Sequence, residues 1–238
     1  GTTGPWKSGD DVVRPWRELG HETSVLGVAS DLNAIGNALE SFKPHIVFNL
    51  LEEFRGQGVY VPYLLGYLEL QHQPYTGCNP TGMLLNHSKA VSKKILKYHR
   101  IRVPDFHVFP RDRKIKRPKH LEFPLIVKST TEHGSAGISL HSIVSDDGNL
   151  AVQVQRVHDE LHTDAIAEQF IAGREFYVGL LGNRRIQTLP IWELHVSNNP
   201  EGEPVIATEK VKWDYDYQEH RGITTAAAAD MEPPDRAK

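Results

Sequence analysis

The stretch FPLIVKSTTEHGSAGIS, residues 123–139, constrains the fold more than any other part of the chain. Its apolar head is too short for a helix and predicts a buried strand ending on Lys128. The residues that follow, Glu132, His133, Gly134, Ser135, Ala136 and Gly137, are small, polar and glycine-bearing. Gly134 and Gly137 let backbone N–H groups close over a phosphate, while Lys128 supplies a point charge to its oxygens. The same residues also suit an ordinary solvated hairpin with a strand-end lysine.

Upstream, apolar runs alternate with helical patterns. Residues 11–19 (DVVRPWREL) predict a helix despite Pro15, and residues 22–28 (ETSVLGV) a short strand after the Gly20 stop signal. Asp31 offers an N-cap for a helix over 32–42, and Lys43-Pro44 leads into HIVFNLL, which suits a strand buried on both faces of a parallel sheet. A helix over 59–70 and the turn residues QPYTG complete a small doubly wound layer. Such a sheet normally opens on a strand, whereas this chain opens on a polar segment that resembles the loop after a missing one. The GQG at 56–58 lacks the third glycine of a dinucleotide fingerprint.

Beyond residue 79 comes a basic helix, SKAVSKKILKYH, ended near Val103-Pro104, and then a strand, DFHVF. The segment RDRKIKRPKH carries seven basic side chains in ten residues but no aromatics, and it reads as a solvated loop rather than a nucleic-acid surface. FPLIVKS, AGISLHSIV, AIAEQFI, REFYVGLLG and RIQTLPIWEL predict short antiparallel strands, with a helix over 150–158. The tail from 224 to 238 loses apolar periodicity and reads as a loop.

Two more segments carry candidate chemistry. In AIAEQFIAGREF, a strand runs into Glu168, Gln169, Phe170 and Ile171, then a glycine turn, then Glu175. Such a connector can offer an adenine ring the backbone of Gln169 and Ile171, with a carboxylate near its exocyclic amine and another for the ribose hydroxyls. Glu168 and Glu175 equally suit solvent-facing strand positions. The last segment is a lysine set: Lys89 opening the basic helix, and Lys210 and Lys212 in ATEKVKWDYDY, read as a strand with both lysines on one face. Sites of phosphoryl transfer surround a triphosphate with cations from separate elements plus magnesium.

Taken in order, HIVFNL, the run from LELQHQPYTG to RVPDF, FPLIVKSTTEHGSAGIS, AIAEQFIAGREFYVGLLGN and IATEKVKWDYDY resemble the ATP-grasp superfamily, and within it the D-alanine-D-alanine ligase group. The similarity spans roughly residues 40–222, with His45 standing where that group has Asp. It implies a mixed α/β and α+β fold: a Rossmann-like parallel-sheet domain over 1–79, a linker helix and ATP-grasp lid subdomain over 80–182, and a truncated second subdomain over 183–238. It further implies that Lys89 and Lys128 bind ATP phosphates and that Glu132, Gly134, Ser135 and Gly137 belong to a loop closing over them. Glu168, Gln169, Phe170 and Ile171 become the adenine connector, Glu175 the ribose ligand, and Lys212 a further phosphate lysine with Lys210 as competitor. His133 stands where the ligases usually have glycine.

The implied reaction joins a carboxylate to an amine through an acyl phosphate, with ATP and Mg2+ as cofactors. The family holds the metal on R-x-D and E-x-N motifs beyond the lysine matching Lys212. Neither motif is present, Asp230, Glu232 and Asp235 have no strand pattern around them, and no metal ligand or catalytic residue is assigned. A non-catalytic nucleotide-binding module, or a kinase with a hydroxyl acceptor, are the alternatives.

Composition narrows the partners. A net charge of -3 supplies no basic field for nucleic acid or an anionic membrane, which disfavours polyanion partners; the resemblance implies small-molecule carboxylate and amine substrates. No apolar run is long enough to span a bilayer, and the single cysteine, Cys78, permits no internal disulfide, so a cytoplasmic protein is expected, a homodimer being the common default.

Overall fold

Helix-forming segments dominate the first part of the chain, and the computed structural model, which describes residues 7–200, 202–229 and 231, gathers residues of three of the first four α-helices, the second to the fourth, into one apolar cluster. The elements are α1 (Lys7–Glu18), α2 (Asn33–Phe42), α3 (Val61–Leu70) and α4 (Pro80–His87). Asn79 caps α4 by accepting the Gly82 N–H at 2.8 Å, with Pro80 at the first helical position, where its missing N–H costs nothing. Asp31 lies one residue before the observed cap of α2, Leu32, and its carboxylate accepts the Asn33 N–H at 2.9 Å. Ile35, Phe54, Val61, Leu64, Leu65 and Leu68 form the buried cluster.

The parallel sheet expected here is reduced to one bridge. Val47 pairs with Tyr75 through Val47 N–H to Pro74 O at 2.8 Å and Thr76 N–H to Val47 O at 3.0 Å. Residues 22–28 carry no strand. HIVFNLL is not buried on both faces either: Val47 and Leu51 pack on the cluster, while Ile46, Phe48 and Leu50 are 39–49% exposed. An extended segment becomes a strand only when a neighbour takes its backbone groups, and a single bridge satisfies few of them.

Contacts divide the chain into two compact units, residues 1–91 and 92–238, and α5 (Lys89–Tyr98) spans the boundary. In the second unit, β1 (Phe106–Phe109), β2 (Leu125–Ser129), β3 (Ile143–Val144), α6 (Asp147–Glu160) and β4 (Ala165–Gln169) build an antiparallel sheet of order β1-β4-β2-β3. Asp146 caps α6 by accepting the Asn149 N–H at 2.7 Å. Leu150, Val154 and Val157 of α6 pack on Leu125, Val127, Ala165 and Ala167, the residues that period-two alternation sends to one face of β2 and β4. Buried His158 ties the same helix to β1, its Nε2 2.9 Å from Phe109 O. The strand expected over 136–144 shortens to β3, because a 3-10 turn at Leu140–Ser142, closed by a Ser139–Ser142 capping box, uses the preceding residues.

Past this sheet lie β5 (Phe176–Tyr177), β6 (Leu180–Leu181), β7 (Gln187–Thr188), β8 (Trp192–Val196), α7 (Glu209–Trp213), α8 (Tyr215–Arg221) and β9 (Ile223–Ala227). β6 and β7 form a hairpin, and the second sheet runs β5-β8-β9. The tail is therefore not all loop. β9 pairs antiparallel with β8 over five residues, and most of its side chains are exposed, so it needs no apolar periodicity. ATEKVKWDYDY is likewise helical rather than extended: Thr208 caps α7 and Asp214 caps α8, accepting the N–H groups of Val211 and Tyr217.

Candidate functional site

Alternation along β2 and β4 gives the sheet face opposite α6 a different character. Ile126 faces Glu168 and Lys128 faces Ile166 in the register, so Lys128 and Glu168 are diagonal neighbours on that face. Lys128 Nζ lies 2.8 Å from Glu168 Oε1, and Lys93 Nζ, from α5, lies 2.7 Å from Oε2. The carboxylate is 4% exposed and its lysines 22% and 15%. Burial pushes the Glu168 carboxyl up, but Lys128 first and Lys93 second outweigh it and hold it below the usual carboxylate range. Oε1 is in ion-pair contact yet lacks an aligned hydrogen bond, leaving a buried acceptor with capacity for a further donor.

Lys93 was missed in the sequence. Its signal was the four-residue spacing from Lys89, which puts the two on one helix face. Lys89 itself is the first residue of α5 and falls in the first unit.

Lys128 and the glycine loop are joined by Ser129, whose buried hydroxyl accepts the N–H groups of Thr131 (3.1 Å) and Glu132 (2.9 Å). Gly134, Ser135 and Gly137 all have positive φ. The loop is fastened to the segment around α7. Trp213 Nε1 donates to Gly134 O at 3.0 Å, Ser135 Oγ to Ala207 O at 2.6 Å, and Gly137 N–H to Glu209 Oε2 at 3.0 Å. Arg156 of α6 donates to Gly137 O at 2.6 Å. The Gly137 amide, expected to meet a phosphate, thus meets a carboxylate.

Two expected results follow from this geometry. Trp213→Phe keeps an aromatic side chain but removes the donor to Gly134 O, so hydrogen exchange at the loop amides should speed up by about fivefold, the equivalent of roughly 1 kcal/mol. Unchanged exchange there would show that the tryptophan does not restrain the loop. At Gly137, φ is +67° and an added Cβ would meet Leu161 Cδ1 at 3.1 Å. Gly137→Ala should therefore lower stability by about 1–2 kcal/mol in urea unfolding; a neutral substitution would mean that the loop readily relaxes.

The connector after β4 is partly committed. Gln169 N–H donates to Asp105 O and Phe170 N–H to Pro124 O, both at 2.9 Å. The Gln169 N–H extends the pairing beside β1, so of the backbone groups expected to serve adenine this donor is already committed. Ile171 is 63% exposed and takes part in neither bond. Glu175 accepts a 2.7 Å hydrogen bond from Tyr177, two residues along; burial and this carboxylate both push the Tyr177 hydroxyl's pKa upward. Further along, Arg174 forks onto Glu193 through two nitrogens and holds that carboxyl below its usual range.

Lys210 and Lys212 do not share a face. In α7, residues two apart point about 200° apart around the axis. Lys210 lies 5.9 Å from the Tyr217 ring centroid, and Lys212 is exposed. Among the described residues no group of three or more His, Cys, Asp or Glu side chains is placed to hold a metal ion. Asp230, Glu232 and Asp235 lie outside the described residues. No helix among the described residues is long and apolar enough to cross a membrane. An open groove of about 590 Å³, lined by Lys94, Lys97, Tyr98, Phe106, His107 and Val108, holds none of the predicted site residues.

Comparison with known proteins identifies the family. The D-ala D-ala ligase C-terminus family matches residues 90–231. An uncharacterized protein, y4sG, of Sinorhizobium fredii is 31% identical over 220 residues, covering 88% of this chain and 62% of the relative. The D-alanine–D-alanine ligase of Syntrophotalea carbinolica is 34% identical over 187 residues, covering 78% and 56%. The chain thus spans roughly three fifths of these relatives' length. Among solved structures, D-alanine–D-alanine ligase from Bacillus anthracis superposes with a TM-score of 0.67 at 20% identity, covering 94% of this chain and 66% of that one. The same enzyme complexed with ATP gives 0.58 at 23%, covering 86% and 60%. With the family matched over more than half its residues and the mixed α/β fold shared, the chain belongs to the D-alanine–D-alanine ligase C-terminal family of the ATP-grasp superfamily.

Proposed function

We propose that this chain is the nucleotide-binding portion of an ATP-dependent ligase that joins a carboxylate, from an amino acid or peptide, to an amine. The observation that carries this reading is the buried carboxylate of Glu168 held between Lys128 and Lys93, directly before the connector and on the strand paired with the one that leads into the glycine loop. Two ammonium groups against one carboxylate leave a surplus positive charge for a phosphate, and Glu168 Oε1 keeps capacity for a donor such as adenine's exocyclic amine. Family membership supports the same assignment.

In this reading Lys128 binds phosphate oxygens, with Lys89 and Lys212 as further cations. The loop containing Glu132, Gly134, Ser135 and Gly137 closes over the phosphates. Glu168, Gln169, Phe170 and Ile171 line the adenine, Gln169 through groups other than its amide, and Glu175 takes the ribose hydroxyls. ATP supplies the activating phosphoryl group: a carboxylate oxygen takes the γ-phosphoryl with release of ADP, and an amine then displaces phosphate from the acyl carbon. Arrangement of charge around the phosphates is the contribution these residues make.

The test is phosphate release by the full-length protein that carries this portion, with magnesium, ATP and a panel of amino acids that includes D-alanine. Release that depends on one of them is the expected result. Binding of ATP without phosphate release for any amino acid would reject the ligase reading and leave a nucleotide-binding module.

A further inference from the structure

Lys93 is given no ligand contact above, yet it is one of the three groups in the ion cluster on which the reading depends. Its ammonium is 15% exposed and 2.7 Å from Glu168 Oε2, opposite the Lys128 contact on Oε1. We propose that Lys93 is a positioning residue for the nucleotide's phosphates, acting through Glu168 rather than by touching the ligand. This rests on the ATP-binding reading.

The argument is one of charge and geometry. Lys93, Glu168 and Lys128 together carry a net charge of +1 when ionised. Without Lys93, Glu168 and Lys128 become a neutral pair, and an arriving phosphate meets a dipole in place of a charge. The buried carboxylate also then has a single cationic partner, which draws the Lys128 ammonium more firmly onto itself and away from a ligand. Lys93 thus balances Glu168 from the helix side, leaving Lys128 free to share its donors between the carboxylate and a phosphate.

A purely structural role predicts something different: loss of Lys93 would weaken every ligand of the site alike. The test therefore compares ATP with adenosine, which has no phosphate, by titration calorimetry on wild type, Lys93→Met and Lys93→Arg. Lys93→Met should weaken ATP by about tenfold or more, less than the loss of a lysine in contact with phosphate because Lys93 acts at one remove. Adenosine should change by less than about twofold, and Lys93→Arg should recover most of the ATP affinity because it keeps the charge. Equal weakening of ATP and adenosine, or ATP affinity equal to wild type, overturns the proposal.

If Lys93→Met does not fold, the double variant Lys93→Met/Glu168→Gln carries the test, since it buries no uncompensated carboxylate and restores the net charge through Lys128 alone. Its ATP-to-adenosine affinity ratio should return to within about threefold of wild type; a ratio lowered by about tenfold or more overturns the proposal. A wild type that binds no ATP removes the nucleotide reading and this role together, whereas a wild type that binds ATP no better than Lys93→Met removes this role alone.

Discussion

Lys128→Met should weaken ATP binding by about a hundredfold, near 3 kcal/mol, the cost typical of truncating one partner of a partly buried charge contact. Methionine keeps most of the aliphatic length, so packing beside Ile166 changes little and the ammonium is what disappears. The remaining cluster would be Lys93 with Glu168, a neutral pair with nothing directed at a phosphate. Titration calorimetry reads the effect directly. Affinity equal to wild type would remove Lys128 from the phosphate site and, with it, the main support for a nucleotide reading. Because Glu168 also loses a partner, the variant's melting temperature should fall, and affinities belong at a temperature where both proteins are folded.

Glu168→Gln is expected to be the most damaging single change to stability among the site residues. The amide is the same size, but it leaves two partly buried ammonium groups facing each other without a counter-charge. Breaking a buried ion pair in this way typically costs about 3–5 kcal/mol. Urea unfolding measures it, and a loss below about 1 kcal/mol would mean that the lysines swing out to solvent at little cost. The pH dependence gives an independent check. The folded carboxyl titrates below its ordinary value, so the unfolded chain binds the proton more readily. The stabilisation is therefore fully present above the unfolded carboxyl's range and is lost as pH falls through the lower folded value. Wild type should show this acid-side loss, and Glu168→Gln should lack that component of it.

Much of this site could be read directly from the chain because its parts are contiguous. FPLIVKS and AIAEQ alternate at the period of a strand, Lys128 and Glu168 fall on the same phase, and the glycine loop follows at once. What escaped was decided by pairing across long separations. Lys93 meets Glu168 from a different element, and its four-residue spacing from Lys89 marks a helix face without naming the strand which that face meets. β9 exists because β8 accepts it, although its own threonines and alanines look unstructured. In α7, the alternating Lys-Val-Lys-Trp pattern suggested a strand, whereas Thr208, bonded to the Val211 N–H at 3.3 Å, was the cap that marked a helix. HIVFNLL failed in the opposite direction: its composition suits a central strand, but among the described residues it finds only Tyr75 as a bridge partner.

The alternation of β2 and β4 has a consequence for how such a sequence tolerates length changes. Leu125, Val127, Ala165 and Ala167 point into the hydrocarbon under α6, while Lys128 and Glu168 occupy the opposite phase. Inserting or deleting one residue within either strand would exchange the two sets, driving a charge into the apolar layer and turning alkyl groups toward the face that carries the ion cluster. Folding and ligand recognition would fail in the same event, with no intermediate variant that keeps one and loses the other. The basic loop at 111–120 carries no such phase, so indels should accumulate there and be purged from the two strands.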